Sequence, residues 1–121
     1  MSLAVGKAGE RIAENYLRKK GYRIFQKNFR TSLGEIDMIC LEGETIVFVE
    51  VKTNSSTDFG VPECRVDHRK QKQMAKVALG FLKQKEKTHC DCRFDVISIL
   101  LRKDSEPKIE HIENAFFLNE E

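Results

Sequence analysis

Apolar residues recur along this chain in two periods. Val5, Ala8, Ile12, Ala13, Tyr16 and Leu17 follow helical spacing and predict a first helix over residues 4–20, with Gly21 as its C-terminal stop. A second helical stripe of Met74, Val77, Ala78, Phe81 and Leu82 predicts a helix over residues 66–87, with Arg69, Lys72, Lys76 and Lys83 on its far side. Between them lie runs rich in Ile, Val and Phe. Residues 22–28 read as a first strand, and a polar bend over 30–33 leads to a hairpin of strands 36–41 and 45–51 joined at Glu42-Gly43-Glu44. Residues 93–101 form an apolar strand, expected parallel to 45–51 because a helix connects the two. Pro107 precedes a shorter strand over 109–112, and 115–118 pack as a tail. The order α-β-β-β-α-β-β predicts an α/β domain whose mixed sheet carries helices on its faces.

The central hairpin holds charges where a core strand would have none. Side chains alternate across a strand, so Ile46, Phe48, Glu50 and Lys52 share one face and Val47, Val49 and Val51 the other. By the same parity Glu35, Asp37, Ile39 and Leu41 line one face of the preceding strand, and the hairpin can carry Asp37 toward Glu50. Two carboxylates so placed repel and cost desolvation energy unless a cation lies between them, and oxygen ligands suit a hard divalent ion such as Mg²⁺ or Mn²⁺. Lys52 adds a positive charge where it could position a water or steady charge developing on a phosphate. The plain alternative is a surface hairpin whose acid and lysine pair in solvent.

Gly34-Glu35-Ile36-Asp37 followed by Val49-Glu50-Val51-Lys52 resembles the PD-(D/E)xK nuclease motif in the form found in the YraN family, small bacterial proteins similar to archaeal Holliday-junction resolvases. The likeness extends to Gly9-Glu10, Gly21-Tyr22, Asn28-Phe29-Arg30, Phe59-Gly60, Arg69-Lys70-Gln71 and Arg93-Phe94-Asp95-Val96, nearly the whole chain. It implies a restriction-endonuclease-like fold and a metal-dependent DNA endonuclease, with branched DNA among its substrates. By it Asp37 and Glu50 hold the metal, Lys52 is the catalytic lysine, and Glu10 completes the site from the first helix. Paired cuts across a junction need two active sites, so a homodimer goes with this reading.

Composition refines the picture without changing it. At 121 residues, 40% hydrophobic and 33% charged, the chain suits one domain with a single core. The net charge of +2 conceals a polarised distribution. Residues 65–87 carry eight Lys or Arg against Asp67 and Glu86, whereas residues 104–121 carry six acids against Lys108. Such a basic stretch can follow a phosphate backbone or be a solvated helix face. Arg30, Lys70, Gln71, Lys72 and Lys76 are the candidate DNA contacts, and Lys70 falls toward the apolar side of its helix. The turn-rich loop 53–60 could close over DNA. Asp95 reads as a strand-end hydrogen-bonding residue rather than a helper of the site, and His68, His89 and His111 have no triad spacing. His89-Cys90-Asp91-Cys92 lacks the paired spacing of a zinc site, and Cys40, Cys64, Cys90 and Cys92 are expected to be reduced. The absence of an apolar span or signal-peptide pattern leads us to expect a cytoplasmic protein. Two other classes stay open, a non-catalytic nucleic-acid-binding module of the same fold and an assembly protein whose basic helix meets an acidic partner.

Overall fold

The computed structural model describes residues 3–55 and 66–117. The distal part of the loop at 53–60, with Phe59-Gly60, lies outside the described residues, as do Cys64, Arg65 and Leu118. Helix α1 spans Leu3–Lys19, strands β1, β2 and β3 span Arg23–Thr31, Gly34–Glu42 and Thr45–Ser55, helix α2 spans His68–Gln84, and strands β4 and β5 span Cys92–Leu101 and Lys108–Phe116. The element order is the one the hydrophobic pattern predicts, and it builds the expected α/β domain with a mixed sheet. No helix among the described residues is long and apolar enough to cross a membrane.

The five strands lie in sequence order, β1-β2-β3-β4-β5. All neighbours are antiparallel except β3 and β4, whose parallel pairing follows from the α2 crossover. Each face of the sheet has its own core. Ala13 and Leu17 of α1 pack with Tyr22, Met38, Cys40, Val47, Val49, Ile97 and Ile99 on one side. Met74, Val77, Ala78, Phe81 and Leu82 of α2 pack with Ile39, Ile46, Phe48, Phe94, Val96 and Phe116 on the other. Phe94 stacks between Phe48 and Phe116, while Phe81 meets Phe25, Phe29 and Phe48 edge-on. The alternation read along β3 is the alternation observed.

Parity fails, however, at one point of the β1/β2 ladder. Met38 belongs to the α1 face, and its partner Lys27 pairs with Glu14 of α1. Two residues further on, Ile36 and its partner Phe29 belong to the α2 face. Both strands therefore roll over together between these pairs, with Asn28 on β1 at φ 51° and Asp37 opposite it on β2. The strand boundaries differ too. Strand β1 continues through Arg30, which we expected in a bend, and β5 runs unbroken to Phe116, past a kink at Asn114 (φ 55°) that absorbs the expected tail.

One glycine sets how closely α1 approaches. A Cβ built on Gly9 would lie 1.8 Å from Oγ1 of the buried Thr53 on β3, so α1 rests on the sheet at this point without an intervening side chain.

Candidate active site

The site forms where β2 and β3 part. Their ladder runs from Glu42↔Thr45 to Met38↔Val49, and beyond it the Val51 N–H donates to Asp37 Oδ2 at 2.8 Å. A side-chain carboxylate thus takes over the role of a ladder carbonyl, which is why Asp37 can be half-buried at the end of a pairing run. Glu50 follows Val49 on β3, and the Asp37 and Glu50 carboxyl groups are close enough for each to act on the other's ionisation. Burial, then the Asp37 charge, pushes Glu50 up to about 8. Asp37 is raised as well, by burial, with the Val51 N–H pulling against it. The hairpin does bring these carboxylates together, as expected from the sequence.

Lysines approach the pair from two elements. Lys70, in the first turn of α2, places Nζ 3.8 Å from Glu50 Oε2. Its backbone is fixed by the N-cap residue Asp67, whose carboxylate accepts from Lys70 N at 2.8 Å. Lys52, two residues after Glu50 and half-buried, also draws Glu50 toward ionisation, though less strongly than Lys70. Glu10 lies on α1 beside Gly9, and burial followed by the charges of Asp37 and Glu35 raises its pKa. Glu10 therefore borders the site from the opposite face. Among the described residues, no three of His, Cys, Asp and Glu are close enough to form a metal-holding group, so Glu10 does not close a three-carboxylate site.

An open groove of about 530 Å³ adjoins the pair, lined by Arg30, Thr31, Gly34, Glu35, Lys70 and Gln73. Arg30 and Glu35 are cross-strand partners on β1 and β2, with Nε 3.3 Å from Oε2. A Cβ on Gly34 would lie 2.6 Å from the Gln73 side chain, which would have to move aside, and the backbone there, at φ 149°, favours glycine. Glu35, Thr31 and Gln73 were not among the expected site residues. The signal for Gln73 was present, since it stands three residues beyond Lys70 on α2. Gln71 serves the fold instead, because its Nε2 donates to the Val66 carbonyl at 2.7 Å and braces the approach to α2. Lys72 and Lys76 are exposed on the same helix, outside the groove lining.

A second polar cluster lies under α1. Asp95, fully buried in the interior of β4 rather than at a strand end, accepts from Arg93 Nε at 3.0 Å and Asn114 N at 3.0 Å, and pairs with His111 Nε2 at 2.7 Å. Arg93 also bonds Tyr22 and Glu42. These residues stand apart from the groove lining. His89 Nε2 and Cys90 Sγ are 3.7 Å apart, and no third ligand joins them among the described residues.

Comparison with known proteins places the chain. The profile of "Uncharacterised protein family UPF0102" matches residues 9–99. A UPF0102 protein of Trichlorobacter lovleyi is 48% identical over 95% of this chain and 91% of its own length, and another of Thermodesulfovibrio yellowstonii is 48% identical over 95% and 97%. Among solved structures, Pyrococcus furiosus SfsA in complex with Ca²⁺ aligns with a TM-score of 0.44 and 17% identity, over 95% of this chain and 64% of that one. With matched residues running from the Gly9-Glu10 pair to the later part of β4, the chain belongs to family UPF0102, the YraN family whose motifs its sequence carries.

Proposed function

We propose that this protein is a metal-dependent endonuclease that hydrolyses phosphodiester bonds in DNA, acting in the cytoplasm and as a homodimer where branched DNA needs paired cuts. The observation that carries the reading is the half-buried pair of neighbouring acids Asp37 and Glu50, beside Lys52 and Lys70 and next to an open groove. A pure binding module gains nothing from two repelling acids near a phosphate path. The donor set fits Mg²⁺ or Mn²⁺, since magnesium keeps several waters and is typically held by one or two carboxylates plus substrate phosphates.

Asp37 and Glu50 would hold the ion, which when bound supplies Lewis acidity toward water and phosphate oxygens. The rest falls to the chain's own groups. Both acids would have to be ionised to hold the cation, and the Val51 N–H orients Asp37. Lys52 meets negative charge as it develops on the phosphate, a contribution that grows toward the transition state. Arg30 and Lys70 line the groove and orient the phosphates on either side of the break. Glu10, held toward neutrality by its setting, borders the reacting region.

The test is a cleavage assay across linear, flapped and four-way DNA with Mg²⁺ or Mn²⁺, run with wild type, Asp37→Asn and Lys52→Ala. Metal-dependent cutting by wild type alone supports the proposal. No cutting of any substrate with either metal, or cutting that survives Lys52→Ala, overturns it.

A further inference from the structure

Lys70 of α2 both lines the groove and reaches the acidic pair. Its Nζ is 3.8 Å from Glu50 Oε2, beyond ordinary hydrogen-bond length, so the contact is a loose one that a stronger cation can displace. The side chain is about one-third exposed (34%) while Glu50 is only 15% exposed, so the lysine stands on the solvent side of the acid it neutralises. Its backbone cannot follow any movement, since Lys70 N is tied to Asp67. The flexible four-carbon stem can, and Arg30 and Gln73 stand on the groove side.

We propose that Lys70 is an exchangeable counter-ion: it neutralises the Asp37–Glu50 pair when no metal is present, yields Glu50 to an arriving divalent cation, and turns into the groove to grip a substrate phosphate. This rests on the nuclease reading and adds to it a coupling between two ligands. Metal releases the lysine that the nucleic acid needs, and nucleic acid withdraws the lysine that competes with the metal. By linkage each ligand strengthens the other to the same degree. The arrangement keeps the site charge-balanced when empty and favours metal loading in the presence of substrate.

The experiment titrates Mn²⁺ into the full chain by calorimetry, without DNA, for wild type, Lys70→Gln, Lys70→Arg and Lys72→Gln. Lys70→Gln should bind Mn²⁺ about fivefold tighter or more, within the range usual for coupled sites. Lys70→Arg should stay near wild type, and Lys72→Gln, which removes an equal charge outside the groove lining, should not move. A second arm measures affinity for a short duplex with cleavage-resistant phosphorothioate linkages, with and without saturating Mn²⁺. Wild type should gain affinity with metal, and Lys70→Gln should lose most of that gain. Equal or weaker Mn²⁺ binding by Lys70→Gln, or the same tightening in Lys72→Gln, sinks the exchange while leaving the nuclease reading intact. Absence of Mn²⁺ uptake by wild type sinks the metal site itself and the exchange with it.

Discussion

Asp95 and Glu50 sit on adjacent strands one register step apart, Asp95 opposite Val49 and Glu50 opposite Val96, and they face opposite sides of the sheet. Both are carboxyls withdrawn from water, and burial alone raises the pKa of each. The outcomes are opposite. Around Asp95, hydrogen bonds from His111, Arg93 and the Asn114 N–H more than offset burial and hold it below the usual carboxylate value. Around Glu50 burial and the charge of neighbouring Asp37 outweigh Lys70 and Lys52, and the value climbs to about 8. A fold that can surround one carboxylate with donors has left its neighbour short of them. The donor-filled centre ties β4, β5 and the β1 side of the sheet together, whereas the other holds two neighbouring acids with Lys70 and Lys52 beside them.

The contrast is broken most readily by mutation. Asp95→Ala should cost about 3–5 kcal/mol, the range for removing one partner from a buried charge network, because it removes the buried acceptor shared by Arg93, His111 and the Asn114 N–H. Glu50→Gln should leave the metal-free protein as stable as wild type or more so, since it removes a repulsion. Denaturant midpoints read both, and equal losses would erase the distinction. Next in size, Lys52→Ala should lower cleavage about 10²–10³-fold, the usual loss for one transition-state charge partner, while its melting temperature stays close to that of wild type. A large fall in stability would put Lys52 with the structural residues.

Dependence on pH sharpens the comparison from both ends. Glu50 has a raised folded pKa, so in the metal-free protein its contribution is full below its ordinary value of 4.5 and is lost as pH rises toward about 8. Asp95 has a lowered folded pKa, so its contribution is full above 3.8 and is lost as pH falls further. Melting curves across pH should show an alkaline decline that Glu50→Gln removes and an acid decline that it leaves. Saturating Mn²⁺ should flatten the alkaline limb alone. The smallest effect lies at neither centre. Lys72→Gln with Lys76→Gln should weaken DNA binding for all sequences alike and reduce the salt slope by about 0.9 for each phosphate no longer neutralised. Stability should change by less than about 0.5 kcal/mol.

How much of this was legible depends on the range over which each feature is determined. The alternation on β3 is a property of consecutive residues within one strand, and Ile46, Phe48 and Glu50 fell on the face assigned to them. The element order followed from periodicity in the same way. The roll at Asn28 did not, because a left-handed non-glycine residue is tolerated only when tertiary packing demands it, and here Phe29 must reach Phe81. Gln71 misled because a helix-start amide reads the same whether it faces DNA or the Val66 carbonyl. Asp95 and His111 are 16 residues apart, and Tyr16 approaches His111 across 95. No spacing rule anticipates such a cluster, which exists only once β5 lies against β4 and α1 covers them.

The contact between Gly9 and Thr53 bears on evolution and design as much as on packing. The depth at which α1 seats fixes the height of the Glu10 carboxylate over one face of the sheet, while α2 sets Lys70 over the other. A single methyl at position 9 would act as a shim under one jaw of a vice: it would lift Glu10 and leave Lys70 where it is. The alignment of the two jaws is thus adjustable by the smallest change a side chain can undergo, at a position outside the acidic pair and its lysines.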